Sequence, residues 1–270
     1  MDRITEQPSN HRHLDKMTTR QLLEGINKED QTVAAAVAEA MGQIEALVDA
    51  THAALSGGGR LFYIGAGTSG RLGVVDASEC PPTFGVPHEL VVGLIAGGDS
   101  AIRKAVEFAE DSASLSWKDL VAHGAKRGDM VVGLAASGTT PYVIGGLSAA
   151  RENGMATGCI VCNPGSPVAA NSDWPVEVVV GPEFVTGSTR MKSGTAQKLV
   201  LNMLTTSVMI KLGRVVDNRM VDMALSNHKL WARGSKMLQE KHGIPDEIAR
   251  QLLAKHGSVR AASQVLTDKK

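Results

Sequence analysis

This sequence is poor in net charge, aromatic residues, cysteine and long apolar runs, and each shortage excludes something. Lys+Arg and Asp+Glu both number 28 in the 270 residues, so the formal net charge is zero. Such a chain has no whole-molecule field to draw nucleic acid or an anionic membrane. Aromatics make up only 3%, too few for base-stacking platforms. No apolar run reaches the roughly 18 residues that span a bilayer. The opening MDRITEQPSNHRHLDK is polar and holds no signal-peptide core, so cytoplasmic residence is the expectation. Three cysteines fit a reducing compartment. Cys159 and Cys162 form a C-x-x-C, yet they stand in the β-like run TGCIVC, where i and i+3 point to opposite faces. No second pair accompanies them and the eight histidines lack ligand spacing. Both thiols therefore read as core, with redox chemistry or half a zinc site as the competing readings.

What is present is a 43% hydrophobic complement of mainly Val, Leu, Ile, Ala and Met, enough for a sizeable core. Residues 1–16 read as an extended arm. Thr18-x-x-Gln21 is a capping-box pattern before a first helix. Val33, Val37, Met41, Ile44, Val48 and Leu55 then recur at helical spacing, predicting one long helix that Gly57-Gly58-Gly59 stops. From Arg60 the pattern alternates. Strands are expected at Arg60–Ile64, Leu90–Ile95, Asp129–Leu134, Thr157–Val161 and Val176–Val180. Helices between them are expected through Leu72, Val75 and Asp76 to Pro81-Pro82, over Ala101–Glu110 behind a capping Asp99, and on to about Asn153. A last helix spans Ser193–Leu212. This alternation predicts an α/β fold, a five-stranded parallel sheet with helices on both faces. After Asp217 the pattern turns to short amphipathic helices. The expected divisions are an N-terminal arm with helices (1–56), the sheet domain (57–217) and a small C-terminal helical subdomain (218–270).

The chemistry gathers in three loops placed after strands, where ligands of such sheets bind. Gly181–Leu201 carries Thr186-Gly187-Ser188-Thr189-Arg190 into the last long helix, with Lys192 alongside. Free N–H groups at a helix start, with hydroxyls and two cations, make an anion cradle. Gly65-Ala66-Gly67-Thr68-Ser69-Gly70 and Ala136-Ser137-Gly138-Thr139-Thr140 are shorter loops of the same kind. The first matches G-x-G-x-x-G, but the acidic residue that dinucleotide binding places at the end of the second strand is missing. Thr68 and Ser69 suit a monophosphate instead, with a tight structural turn as the bland alternative. Pro141 is a favourable first helical residue, so Ser137–Thr140 also reads as an ordinary cap. Two carboxylates stand out. Glu79 and Glu110 each fall at the expected end of a helix, where a carboxylate is disfavoured unless it has a task. A solvated surface acid is the competing reading for both.

GAGTSGRLGVVDASECPPTFG (65–85), AEDS (109–112), AASGTTPYV (135–143) and TGSTRMKSGTAQKLVLNMLTT (186–206) together resemble the N-acetylmuramic acid 6-phosphate etherases, members of the sugar isomerase (SIS) domain group. TEQ (5–7) and the helix before NKED (27–30) are similar too, so the resemblance covers almost the whole chain. It implies a lyase that removes a D-lactyl ether from C3 of the sugar, by elimination and then water addition, in cell-wall sugar recycling. By resemblance Glu79 is the acid that protonates lactate and later activates water, and Glu110 is the base at C2. Gly67, Thr68, Ser69, Ser137, Gly138, Thr139, Thr140, Ser188, Thr189, Arg190 and Lys192 match phosphate- and sugar-binding positions. The resemblance also implies a homodimer with the site near its interface, no cofactor, and a ubiquitin-associated-like three-helix tail. His228 departs from the pattern, where Val is expected. An aldose–ketose isomerase would need one base and release nothing. A sugar-phosphate sensor, like the glucokinase regulatory protein, would need neither carboxylate.

Overall fold

The computed structural model describes residues 3–106 and 108–268. Thr18 caps α1 (Thr19–Asp30) through the full reciprocal box, its hydroxyl accepting from the Gln21 N–H. The long helix expected next is two, α2 (Val33–Glu39) and α3 (Met41–Ser56), broken at Ala40. Buried Val33, Val37, Ile44, Val48 and Leu55 keep one spacing across the break, so periodicity carried no mark of it. Gly58, at φ +86°, turns the chain out of α3.

The strands are β1 (Leu61–Gly65), β2 (Val91–Ile95), β3 (Met130–Ala135), β4 (Ala156–Val161) and β5 (Trp174–Glu177). They pair in parallel in the order β2-β1-β3-β4-β5. β5 begins two residues earlier than expected and takes Pro175 into the strand, which its edge position tolerates. Between them run α4 (Gly67–Phe84), α5 (Ser100–Arg103), α6 (Leu115–Ala122), α7 (Pro141–Glu152) and α8 (Pro167–Ala170), with α9 (Lys192–Lys211) after β5. Phe62, Ile64, Val131, Leu147 and Val161 are among the buried residues of the core on one sheet face. Cys159 and Cys162 are fully buried, as expected of core thiols. Burial pushes them up to about 11 and about 12.

Two helices depart from the sequence reading. α4 continues through Pro81 and Pro82 to Phe84. A proline deletes a donor but keeps its carbonyl, and the Gly85 N–H donates to Pro81 at 2.9 Å. α5 is only four residues, not the ten expected. The Arg71 guanidinium donates to the carbonyls of Ala101 and Ile102, each at 2.8 Å. Those are the acceptors that the N–H groups of residues 105 and 106 would need to extend the helix.

The chain falls into two compact units. One comprises positions up to Ala77 with Glu89–Val208; the other Ser78–His88 with positions from Met209 on. The second holds a short hairpin, β6 (Val215–Val216) and β7 (Arg219–Met220), then α10 (His228–His242), α11 (Asp246–His256) and α12 (Val259–Thr267). Met223, Leu238, Ala249, Leu253, Val259 and Ala262 form its own core.

Candidate active site

In the order β2-β1-β3-β4-β5 the chain reverses direction between β1 and β3, and a crevice opens there beyond the carboxyl ends of the strands. Two hydroxyl loops flank it. After β1, Gly65 and Gly70 touch: a Cβ on Gly70 would lie 2.8 Å from the Gly65 carbonyl oxygen. That contact starts α4 directly on the strand end and brings Thr68 and Ser69 to the crevice. Ser69 Oγ donates to Gln197 Oε1 at 2.8 Å, and Gln197 Nε2 donates to the Ile160 carbonyl at 3.2 Å. The first loop is thus tied to α9 and β4. After β3, Gly138 takes φ +69° with its α-carbon against Ser166, a close approach that a side chain would block. Ser137 Oγ accepts from the Thr139 N–H at 3.3 Å and from its hydroxyl at 3.1 Å. Thr140 is the N-cap of α7 with no side-chain capping bond, and Pro141 follows as the first helical residue. The start of α7 therefore keeps donor groups for an external anion.

Gly67, Thr68, Ser69, Ser137, Thr139 and Thr140 line a cleft of about 460 Å³, together with Glu110 and Thr189. Glu110 arrives by a route the sequence did not suggest. After the short α5, Phe108 takes φ +60° and Ala109–Asp111 form a single 3₁₀ turn that carries Glu110. This turn lies against α7 because position 145 is glycine, where a Cβ would stand 1.8 Å from the Ala113 carbonyl oxygen. Glu110 also lines a neighbouring hollow of about 460 Å³ with Ala101, Val106 and Phe108.

The third loop differs from the expected cradle. Glu183, 1% exposed, accepts from the N–H groups of Lys192 (2.8 Å) and Ser193 (2.9 Å) and from the Ser193 hydroxyl (2.8 Å). The N-terminus of α9 is thus filled by the chain's own carboxylate. Lys192 is 3% exposed, and its ammonium donates to Glu29 Oε2 at 2.6 Å, while His11 Nε2 lies 3.0 Å from Glu29 Oε1. Burial alone would push the Glu29 carboxyl up. The hydrogen bonds from Lys192 and His11 outweigh it and hold the group below the usual carboxylate range. Of this loop only Thr189 lines the cleft; Ser188, Arg190 and Lys192 do not, and Gly138 supports the second loop from behind. Glu79 is exposed on α4, twelve residues beyond Gly67, and belongs to the second compact unit.

Three lining residues escaped the sequence reading: Arg3, Glu6 and Asp111. The first two belong to the N-terminal arm, which folds back over the crevice. Thr5 is fully buried; its N–H donates to Asn163 Oδ1 at 3.2 Å, and Asn163 Nδ2 donates to Thr5 Oγ1 at 2.8 Å. Arm residues without periodicity gave no signal for a contact 158 positions away. Only the resemblance at TEQ marked the segment.

Comparison with known proteins bears on the fold and the family. Residues 39–151 match the family model of the glucokinase regulatory protein N-terminal SIS domain, and residues 102–207 that of the SIS domain. Among solved structures, a phosphoheptose isomerase from Francisella tularensis matches with TM-score 0.53 at 18% identity, over 71% of this chain and 98% of that one. The Vibrio vulnificus NanR protein complexed with ManNAc-6P also gives 0.53, at 14% identity, over 73% and 66%. At such identities these likenesses show the fold alone. Sequence relatives go further. An N-acetylmuramic acid 6-phosphate etherase of Christiangramia forsetii is 62% identical over 95% of this chain and 93% of its own length. One of Porphyromonas gingivalis is 58% identical over 99% and 98%. Identity of that order along nearly the whole length places this SIS-fold chain in the N-acetylmuramic acid 6-phosphate etherase family.

Proposed function

We propose that the cleft binds N-acetylmuramic acid 6-phosphate and that the chain, a carbon–oxygen lyase, removes its D-lactyl ether. The products are N-acetylglucosamine 6-phosphate and D-lactate. The observation that carries this reading is the convergence of the hydroxyls of two loops, Thr189 and Glu110 on one cleft at the sheet's switch point. The phosphate is taken by Ser137, Thr139 and Thr140 at the start of α7, with Thr68, Ser69 and Thr189 on the facing side. Gly67 and Gly138 let the backbone approach. Ser188 and Arg190 lie at the rim of this reading. Lys192 serves it indirectly, since its ammonium is committed to Glu29.

An unactivated ether resists hydrolysis, but ring opening places an aldehyde at C1 and acidifies the C2 proton. Glu110 takes that proton as general base, and lactate leaves C3 with a proton from Glu79. Water then adds across the unsaturated aldehyde, with Glu79 acting as base. Two carboxylates in separate surroundings suit this division of roles. Glu79 comes from a second copy in a homodimer; its exposure to solvent supports this arrangement. The helical tail from residue 218 is a distinct module of the same chain, supported by its own core. Cytoplasmic residence belongs to the same reading, supported by buried cysteines that form no disulfide among the described residues.

The test is release of D-lactate from N-acetylmuramic acid 6-phosphate by the purified chain. Glu110→Gln should lower that rate by about 10²–10⁴ while the Kd for N-acetylglucosamine 6-phosphate stays within about threefold. A wild-type chain that frees no lactate sinks the etherase reading. A Glu110→Gln variant at near wild-type rate removes Glu110 from the chemistry.

A further inference from the structure

The charge inventory of the cleft is one-sided. Its described lining residues bring the carboxylates of Glu6, Glu110 and Asp111, against a single cation, Arg3. The cations that the sequence placed at the phosphate site are elsewhere, with Lys192 held by Glu29 and Arg190 outside the lining. The α9 N-terminus is filled by Glu183, which leaves the helix starts at Gly67 and Pro141 to face the phosphate with dipoles but no formal charge. A phosphate carrying nearly two charges would enter a cleft of net negative sign with hydroxyls as its main partners. Something must offset that repulsion.

Arg3 is placed to do so. It lines the main cleft and also a second hollow of about 600 Å³, and Ser137 and Thr139 are common to both. The arm that carries it is fixed rather than trailing. Thr5 and Asn163 exchange two hydrogen bonds (3.2 and 2.8 Å), and Asn163 Nδ2 also donates to the Ser137 carbonyl at 3.1 Å. Ser9 Oγ donates to the Phe184 carbonyl at 2.7 Å, and the Ser9 N–H to Thr186 Oγ1 at 2.9 Å. One asparagine therefore grips the arm and the second hydroxyl loop together.

We propose that Arg3 is the counter-charge of the substrate's 6-phosphate, and that Asn163 is a positioning residue holding the arm so that Arg3 faces the Ser137–Thr140 loop. The phosphate site is then assembled from residues more than 130 positions apart, with hydroxyls for shape and a guanidinium for charge. The assignment rests on the etherase reading for the identity of the sugar, but its test does not need turnover.

Binding of N-acetylglucosamine 6-phosphate, which has phosphate but no lactyl group, is measured by calorimetry beside that of N-acetylmuramic acid 6-phosphate with the slow Glu110→Gln chain as background. Arg3→Met should raise both Kd values alike, by roughly ten- to hundredfold, and flatten their dependence on salt. Arg12→Met, which removes an equal charge elsewhere on the arm, should change neither. Asn163→Ala should repeat part of the Arg3→Met loss, and the double variant should lose less than the two effects summed. Full additivity overturns the positioning role. Unchanged binding of both sugars in Arg3→Met overturns the proposal. So does a loss confined to N-acetylmuramic acid 6-phosphate, which would assign Arg3 to the lactyl carboxylate. A chain that binds both phosphates through Arg3 yet frees no lactate would leave this inference standing and remove the etherase reading alone.

Discussion

Glu29 and Glu183 show how single carboxylates decide what the third loop can do. Glu183 caps the start of α9 internally and Glu29 holds Lys192, so neither that ammonium nor that helix end is left for a ligand. Glu29 titrates below its ordinary value of 4.5 in the folded chain. The unfolded chain then takes up the proton first as pH falls. The stabilisation is therefore fully present above about pH 4.5 and is lost as pH drops through the folded value. Glu29→Gln should destabilise the chain by roughly 1–3 kcal/mol at pH 7, since it leaves the buried Lys192 ammonium without its partner. In urea unfolding, the gap between wild type and variant should narrow between about pH 5 and pH 3. A gap that stays constant over that range would show that the pair contributes nothing pH-dependent. Neither charge nor spacing in the sequence said that the partner of Glu29 was Lys192.

At the scale of elements, the site depends on places where helices stop or approach closely. Arg71, one turn into α4, ends α5 by taking its carbonyls, and this frees the segment that becomes the Glu110 turn. The periodicity of residues 101–110 is truly helical, so the sequence reading placed Glu110 at a helix end; a guanidinium from 30 positions away overrode it. Gly145 then lets the turn rest on α7. Gly145→Ala would push a methyl group into the Ala113 carbonyl. It should cost about 1–3 kcal/mol and lower lactate release by at least about tenfold through displacement of Glu110. Thermal unfolding and steady-state rates together check this; a variant with full stability and full rate would show that the turn is not seated by that contact. Short elements with strong end signals were legible: the Thr18 cap, the Gly58 stop and the start of α7 stand where the residues placed them, whereas α4 begins at Gly67, inside the stretch read as a loop. α6, α8 and the β6–β7 hairpin went unread, being four to eight residues or shorter and without a distinct period.

For the whole molecule, the question is where Glu79 acts. In a homodimer that shares its sites, Glu79→Gln and Glu110→Gln chains are each inactive alone, but a mixed dimer holds one site with both carboxylates intact. Co-refolding equal amounts should restore about a quarter of wild-type lactate release, because half the dimers are mixed and one of their two sites works. No recovery above the separate variants would place Glu79 and Glu110 in one chain. The same experiment reports on association, since monomers would restore nothing.

The sequence by itself determined the class of fold, most of its element starts, the three hydroxyl loops and the family, because each rests on local pattern or on long matching motifs. Which loops would share a cleft was decided only by the tertiary structure. Strand order put the loops after β1 and β3 side by side at the switch point. Helix packing brought the Glu110 turn to them, and one asparagine drew Arg3 back across the chain. Each of these is a contact between residues far apart in sequence, made by the shape and hydrogen bonding of the folded chain, and no local pattern encodes its partner.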